Sequence, residues 1–324
     1  MQLRPLGCRG ARRHPGRAPD HRRRLTPRPG GGAPVRHGIV ILDKPAGMTS
    51  HDVVARCRRV FGQRRVGHGG TLDPGATGVL VVALGQATRL LRFLSELPKF
   101  YEGEVVLGVE TTTLDDEGEV TATHDMSAVT LAQVRAAATG LTGAIHQVPP
   151  MVSAVKVGGR RLHELARAGI EVERKARPVT VHRFDVEPGD QPGVFRVAVD
   201  CSSGTYVRVL AADLGAVLGG GAHLRKLRRT AVGPFGVEES RPLDDHLNAA
   251  DIRPAAEAVR HLAQVTVDPA TAAAVAHGAV LGREAAGFSG PGPWAVVDRT
   301  GELLAVYEAR GETPVKPAVV LSGQ

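Results

Sequence analysis

One carboxylate stands in a segment suited to displaying it. Gly67-His68-Gly69-Gly70-Thr71-Leu72-Asp73-Pro74-Gly75-Ala76-Thr77-Gly78 sets Asp73 among glycines, just ahead of the apolar run Val79–Leu84. Glycines leave the backbone open to a ligand, and Pro74 limits Asp73 to extended conformations. A carboxylate held this way could act as a nucleophile. The plainer reading is an Asx-turn in which Asp73 bonds only its own loop. Two other spots gain interest beside it. Lys99-Phe100-Tyr101 opens an alternating segment with an aromatic, in a chain whose aromatic content is 3%. Gly204-Thr205-Tyr206-Val207-Arg208 follows a second alternating run, Phe195 to Cys201. A tyrosine can stack on an unpaired base, and an arginine can pair with a carboxylate. Read singly, each is as well explained as a core-edge tyrosine or a surface arginine.

The elements that must position these residues follow from periodicity. Gly38–Leu42 reads as a strand, followed by a loop carrying Pro45 and Gly47. Ser50 is expected to cap a helix with Val53, Val54, Cys57, Val60 and Phe61 on one face and Gly62 at its end. Val79–Leu84 is a strand, and a helix carrying Leu90, Leu91, Leu94 and Leu97 packs back. Tyr101, Gly103, Val105, Leu107 and Val109 alternate as one half-buried strand running to an acidic turn, Asp115-Asp116-Glu117-Gly118. A helix bearing Tyr206, Val209, Leu210 and Leu214 follows Ser202-Ser203-Gly204-Thr205. Past residue 265, Trp294–Val297 and Leu303–Tyr307 flank a turn and read as a hairpin. Turn-linked strands among helices predict an α/β fold of the α+β type, with a mixed, largely antiparallel sheet.

Composition narrows the chemistry. There is no GxxxxGK[ST] loop, no HExxH, no GxSxG and no GxGxxG after a strand, so nucleotide hydrolysis, zinc proteolysis and α/β-hydrolase chemistry lack support. The three cysteines, Cys8, Cys57 and Cys201, form no CxxC pair and predict free thiols in a reducing compartment. No apolar run is long enough to span a membrane, and the basic start lacks the apolar stretch of a signal peptide. The formal charge is +8. Residues 1–36 carry ten arginines against one acid, Asp20, a surplus of nine, so the remainder is one unit negative. RNA contact by the folded part must therefore come from local patches. Two candidates are Lys156–Arg177, with seven basic residues against three acids, and His223–Thr230, with Arg225, Lys226, Arg228 and Arg229 and no acid. Either could equally be a solvated face.

Taken together, the motifs resemble one family. The Gly67–Gly78 segment, Lys99-Phe100-Tyr101 and Gly204-Thr205-Tyr206-Val207-Arg208 resemble the TruB family of tRNA pseudouridine-55 synthases. Three further stretches fit in order: Gly38 with Leu42-Asp43-Lys44-Pro45-Ala46-Gly47-Met48-Thr49-Ser50, Pro149-Pro150 followed by Ser153-Ala154 and Lys156, and Leu227-Arg228-Arg229. The resemblance covers residues 37 to 240, and the C-terminal stretch is less specifically similar to a PUA-like RNA-binding domain. Departures are Gly69 where many members carry Thr, Val152 where an aromatic is common, and His163 where Tyr is frequent; they are expected to affect the RNA-facing loop around Lys156 more than the pocket.

The resemblance implies a division of labour. Asp73 is the catalytic carboxylate, Arg208 pairs with it and keeps it ionised, and Tyr101 lies beside the flipped uracil as stacking partner or proton acceptor. Tyr206 and Leu227 wall the pocket, His68 enters the space the flipped base vacates, and Lys156 contacts the RNA. It also implies three regions: an Arg/Pro/Gly-rich tail over 1–36 expected to be disordered, a catalytic domain over 37–262 with an RNA-gripping insertion at about 149–178, and a PUA-like domain over 263–324. Isomerisation consumes no group and changes no redox state, so neither cofactor nor metal is expected. The partner is the T-arm of tRNA, met by a cytoplasmic monomer with no membrane and no obligatory protein partner. Two other readings stay open on sequence: a non-catalytic RNA-binding or tRNA-folding module, and a guide-RNA-dependent synthase of the dyskerin type.

Overall fold

The structure is a computed structural model that describes residues 35–153, 155–309, 311 and 314–321, less the side chains of Lys156, Arg161, His163 and Arg167. The expected tail lies, through residue 34, outside the described residues. β1 (Gly38–Lys44) is antiparallel to β3 (Thr77–Leu84), from Gly38 opposite Leu84 to Lys44 opposite Gly78. Both strands are nearly continuous apolar runs because both faces are covered. On one face α1 (Ser50–Val60) lays Val53, Val54 and Cys57, with Phe61, against Val40, Leu42, Leu80 and Val82. On the other, Ile39, Ile41, Val79 and Val81 meet Phe93 and Leu94. Val60, expected on the apolar face, is instead exposed.

Helix α1 begins one residue earlier than expected. Thr49, not Ser50, is the N-cap, and it closes a capping box with Asp52. Ser50 is released for another task described below. The leucine-rich segment after β3 is a 3-10 turn over Gly85–Leu90 followed by the short α2 (Leu91–Ser95), not one regular helix. β2 (Val66–His68) lies antiparallel on β3.

The other half of the sheet is built differently. β4 (Lys99–Leu107) stops at Gly108, whose φ of 82° bends the chain away, so Val109 belongs to a separate hairpin of β5 (Val109–Thr111) and β6 (Val120–Thr123). After α3 (Leu131–Gly140) come β7 (Gly143–Gln147), the two-residue pair β8 (Lys156–Val157) and β9 (Arg160–Arg161), and α4 (Leu162–Arg167). β10 (Arg177–Pro188) and β11 (Val194–Cys201) lead to α5 (Val207–Val217) and β12 (Ala222–Val232). Here α3 and α5 cover one face only, packing on Val105, Val186, Val197 and Val199. The opposite face carries Glu102, Arg183, Asp185 and Arg196 into solvent.

Two short strands, β13 (Phe235–Gly236) and β14 (Arg241–Pro242), complete the sheet. Among the described residues its order is β14-β1-β3-β12-β4-β11-β10-β7, with β13 on β12 and β2 on β3. β1–β14 and β3–β12 are parallel; the other pairs are antiparallel, as expected of a mixed sheet. The halves meet at β3 and β12, paired only through Arg228–Thr77 and Arg229–Gly78. A side chain at Gly78 would put its Cβ 2.1 Å from the Arg229 carbonyl, and φ there is 103°. Glycine is what lets the halves close.

Beyond residue 262 lies a second sheet. β15 (Ala263–Thr266), β16 (Leu281–Gly282), β17 (Trp294–Val297), β18 (Leu303–Ala309) and β19 (Pro314–Val320) run in the order β15-β17-β18-β19-β16, with α6 (Pro269–Ala276) alongside. The expected hairpin is β17–β18. Ala295, Val297, Leu303, Val306 and Val319 share one apolar core with Ile39, Ile41, Phe93 and Val259. The small sheet is thus packed onto the doubly covered half.

Candidate active site

The segment between β2 and β3 is held by its backbone. Arg229, 1% exposed, donates from Nη2 to the Gly70 carbonyl and from Nη1 to the Thr71 carbonyl, both at 3.1 Å, and from Nε to the Val79 carbonyl at 2.8 Å. Ser50 Oγ accepts the Leu72 N–H at 2.8 Å and donates to the Leu72 carbonyl at 3.1 Å. The buried Lys44 ammonium donates to the carbonyls of Pro45, Met48 and Pro74, and the Gly47 N–H also reaches the Pro74 carbonyl. Side chains from β1, α1 and β12 therefore fix both sides of Asp73. Burial drives the Lys44 ammonium down to about 8, with Asp73 opposing that fall. None of these three residues was singled out from sequence as a support; their signal was present in Asp43-Lys44 and Arg228-Arg229 but carried no roles.

Asp73 is not an Asx-turn residue: its carboxylate faces outward to Arg208, whose Nε lies 2.9 Å from Oδ2. Arg208 is 4% exposed at its side chain and Asp73 36%. The guanidinium also donates from Nη1 to the Thr113 carbonyl at 2.7 Å and from Nη2 to the Val152 carbonyl at 2.9 Å. Its Nε is 3.4 Å from a second carboxylate, Asp115, itself 13% exposed. The acidic turn read as a strand end is therefore part of the site. A bridge between Asp115 and Leu224 brings it there, with Leu114 at φ 63°. Val152, expected to matter mainly to RNA contact, meets Arg208 through its backbone. Gly69 packs against the core beneath the segment that carries Asp73: a Cβ there would fall 2.9 Å from Leu94 Cβ.

The electrostatics correct one expectation. Burial raises the Asp73 carboxyl above its ordinary value; Arg208 opposes the rise and Asp115 adds to it. Arg208 thus limits an upward shift, and does not reverse it. Burial likewise pushes the Tyr101 hydroxyl up, with Arg229 opposing.

A cavity of about 230 Å³ opens beside the pair, lined by Asp73, Tyr101, Tyr206, Arg208 and Leu227 among others. Tyr101 comes from the start of β4. Tyr206 is the N-cap of α5, and its backbone exchanges hydrogen bonds with the side chain of the buried Gln147. Gln147 Nε2 donates to the Tyr206 carbonyl at 3.3 Å, and the Tyr206 N–H donates to Oε1 at 2.9 Å. Leu227 is aimed by a bulge in β12 between Arg225 and Arg228, with Lys226 at φ 54°. Lys99 also lines the cavity, its ammonium held by the carbonyls of Ser95 and Leu97 and lowered to about 8, chiefly by burial.

His68 does not line this cavity. It sits at the end of β2, edge-on to His51 with ring centroids 5.6 Å apart. Burial, with His51 and Arg229 adding, lowers it to about 4, so its imidazole is neutral at physiological pH. The Lys156 side chain lies outside the described residues. The run His223–Thr230 is not a free basic patch: Arg225 and Lys226 pair with Glu104, Arg228 grips Asp43 through both oxygens at 3.0 and 2.7 Å, and Arg229 is buried.

The seam of the mixed sheet thus holds a carboxylate, its guanidinium and a tyrosine around one cavity. Residues 58–207 match the TruB family pseudouridylate synthase N-terminal domain, and residues 208–266 the tRNA pseudouridylate synthase B C-terminal domain. The chain belongs to the TruB family of pseudouridylate synthases. It is 50% identical over 294 residues to tRNA pseudouridine synthase B of Thermobifida fusca strain YX, covering 88% of this chain and 99% of that one. The namesake protein of Rhodococcus jostii strain RHA1 is 47% identical over 291 residues, 87% of this chain and 93% of that one. Among solved structures, the Cbf5-Nop10-Gar1 complex matches with a TM-score of 0.66 and 30% identity, over 89% of this chain and 84% of that chain.

Proposed function

We propose that this protein isomerises a uridine of the tRNA T-loop, position 55, to pseudouridine. The observation that carries the reading is the Asp73–Arg208 pair, 2.9 Å apart at the wall of a cavity shared with Tyr101. A uracil inside a stacked loop cannot be reached, so the nucleotide must flip into such a cavity. Asp73 is the nucleophilic carboxylate that drives cleavage of the bond between N1 and C1′. The freed uracil turns, C5 joins C1′, the C5 proton leaves and N1 gains one, so atoms balance without a redox partner. Tyr101 is the stacking partner of the ring or the acceptor of the departing proton; as acceptor it must pass on its own hydroxyl proton, which N1 can take. Arg208 orients Asp73, while Tyr206 and Leu227 wall the ring.

His68, neutral and half-buried at the end of β2, fills the gap left by the flipped base without adding charge. Lys156 and the segment around 149–178 grip the RNA within a catalytic domain over 37–262, and the sheet beyond residue 263 is a PUA-like RNA-binding domain. The curated relatives are named for tRNA, which favours the T-arm as partner. We read the enzyme as a cytoplasmic monomer needing no protein partner or guide RNA. No helix of the described residues is long and apolar enough to cross a membrane.

The test is incubation of purified protein with unmodified tRNA transcript, followed by carbodiimide-stop sequencing. Pseudouridine is expected at the T-loop uridine with nothing else added, and none with Asp73→Asn, which should bind tRNA within about ten-fold of the parent because the amide keeps the shape and loses nucleophilicity. Product only after a guide RNA is added would defeat the proposal. Parent-like turnover by Asp73→Asn would move the chemistry to another residue.

A further inference from the structure

The cations of the run His223–Thr230 are paired with carboxylates or buried, which raises the question of which others meet the RNA. Residues 53–72 hold five arginines, Arg56, Arg58, Arg59, Arg64 and Arg65, and no acid. The structure gathers them where α1 ends and β2 begins. Arg58, Arg59, Arg64 and Arg65 are all exposed, and so is Arg89 nearby. Arg56 pairs with Asp245, but among the described residues no carboxylate pairs with the other five. Three of them are nonetheless oriented. Arg58 donates to the carbonyls of Arg64 and Val66, at 3.1 and 3.2 Å, and Arg65 Nε donates to Thr88 Oγ1 at 2.9 Å. Arg89 donates to the Val320 carbonyl. These bonds order the guanidinium groups without neutralising them.

Position gives the cluster its meaning. β2 is three residues long, so it spans about 10 Å. One end carries this arginine ridge and the other carries His68, followed directly by the loop of Asp73. A guanidinium fork matches phosphate geometry. We infer that the Arg58–Arg59–Arg64–Arg65–Arg89 ridge docks the phosphate backbone of the RNA stem adjoining the target loop, setting the reach from stem to cavity. The inference rests on the reading of the protein as an RNA pseudouridine synthase and adds its electrostatic footing. The ridge, and not the more conspicuous run in β12, supplies it.

The test compares two variants with the same change in charge. Arg59→Gln with Arg64→Gln removes two ridge cations whose side chains make no hydrogen bond or ion pair among the described residues. Arg183→Gln with Arg196→Gln removes two from the solvent face of β10 and β11. Binding of unmodified tRNA transcript is measured across a salt series, with thermal melts to establish that both variants fold. The ridge variant is expected to bind more weakly, with a log–log salt slope shallower by about 0.7 to 0.9 for each phosphate that it no longer neutralises. Its single-turnover rate in saturated complexes should match the parent, and the matched control should keep the parent's slope. Parent-like binding by the ridge variant, or equal weakening of both variants, would overturn the inference. Failure of the parent to form pseudouridine would instead defeat the function reading, while the salt slopes would still judge the ridge.

Discussion

β3 and β11 are both eight-residue strands of one sheet, yet their sequences obey different rules. In β3 every residue from Gly78 to Leu84 is buried; in β11 burial largely alternates, with Arg196 in solvent and Ala198 and Asp200 half-buried. The first half of the sheet is sandwiched between α1 on one side and α2 with the small C-terminal sheet on the other. The second is covered once. The active site is assembled across the boundary. Asp73 and its backbone supports belong to the sandwiched half, apart from Arg229 on the seam, while Tyr101, Tyr206 and Arg208 come from the half with one open face. The carboxylate is therefore anchored from the doubly covered half, and the groups that face it across the cavity come from the other.

The largest expected effect tests the contrast between the strands directly. Lysine at either Leu80 or Val81 would bury an unpaired charge on one face or the other, costing several kcal/mol, and neither variant should give a cooperative thermal melt. In β11 the outcome should depend on parity. Val197→Lys should fail in the same way, whereas Ala198→Lys faces solvent with Asp185 and Glu102 as its cross-strand neighbours and should melt within a few degrees of the parent. Equal tolerance at Leu80 and Val81 would mean that one face of β3 is not closed.

A smaller effect separates the two roles of Tyr101, which lines the cavity from β4. Tyr101→Phe keeps the ring and its packing but loses the hydroxyl. If that oxygen takes the proton from C5, single-turnover rates with saturating enzyme should fall by about 10²-fold or more, with tRNA affinity nearly unchanged. Equal rates for the two proteins would leave Tyr101 as a stacking platform.

The same contrast explains what could be read in the sequence. Alternation marks a strand with one open face, so Phe195–Cys201 and the start of β4 were legible with their inward residues. The apolar runs of β1 and β3 were legible as strands, but a run without alternation does not say what covers each face. The shared core with Ala295 and Val306 was therefore invisible. Among site residues, Asp73, Tyr101, Tyr206, Arg208 and Leu227 do converge on one cavity. What the sequence hid were side chains whose partners are backbone carbonyls. Arg229 and Lys44 look like surface cations until the fold buries them, and Ser50 looks like a helix cap until Thr49 takes that place. Asp115 was hidden for another reason: a turn composition describes equally well an acid in solvent and one carried to a guanidinium by a bridge to Leu224.

Asp115 supplies the finest test of the seam, because it shares Arg208 with Asp73. Burial raises the Asp73 carboxyl, and the Asp115 charge raises it further. The reaction needs Asp73 ionised, and its ionised fraction falls as pH drops through this raised value. The single-turnover rate should therefore decline toward acid pH earlier than an ordinary aspartate, with a value of 3.8, would dictate. Asp115→Asn removes one negative neighbour while leaving a side chain of the same size. The acid limb of the profile should then move to lower pH, even if the rate on the plateau drops because Arg208 has lost one of its partners. A merely structural Asp115 would lower the plateau and leave the limb where it was. A shift of the limb to higher pH would mean that Asp115 acts mainly by steering Arg208 toward Asp73, so that its removal weakens the ion pair more than it relieves the repulsion between the two carboxylates.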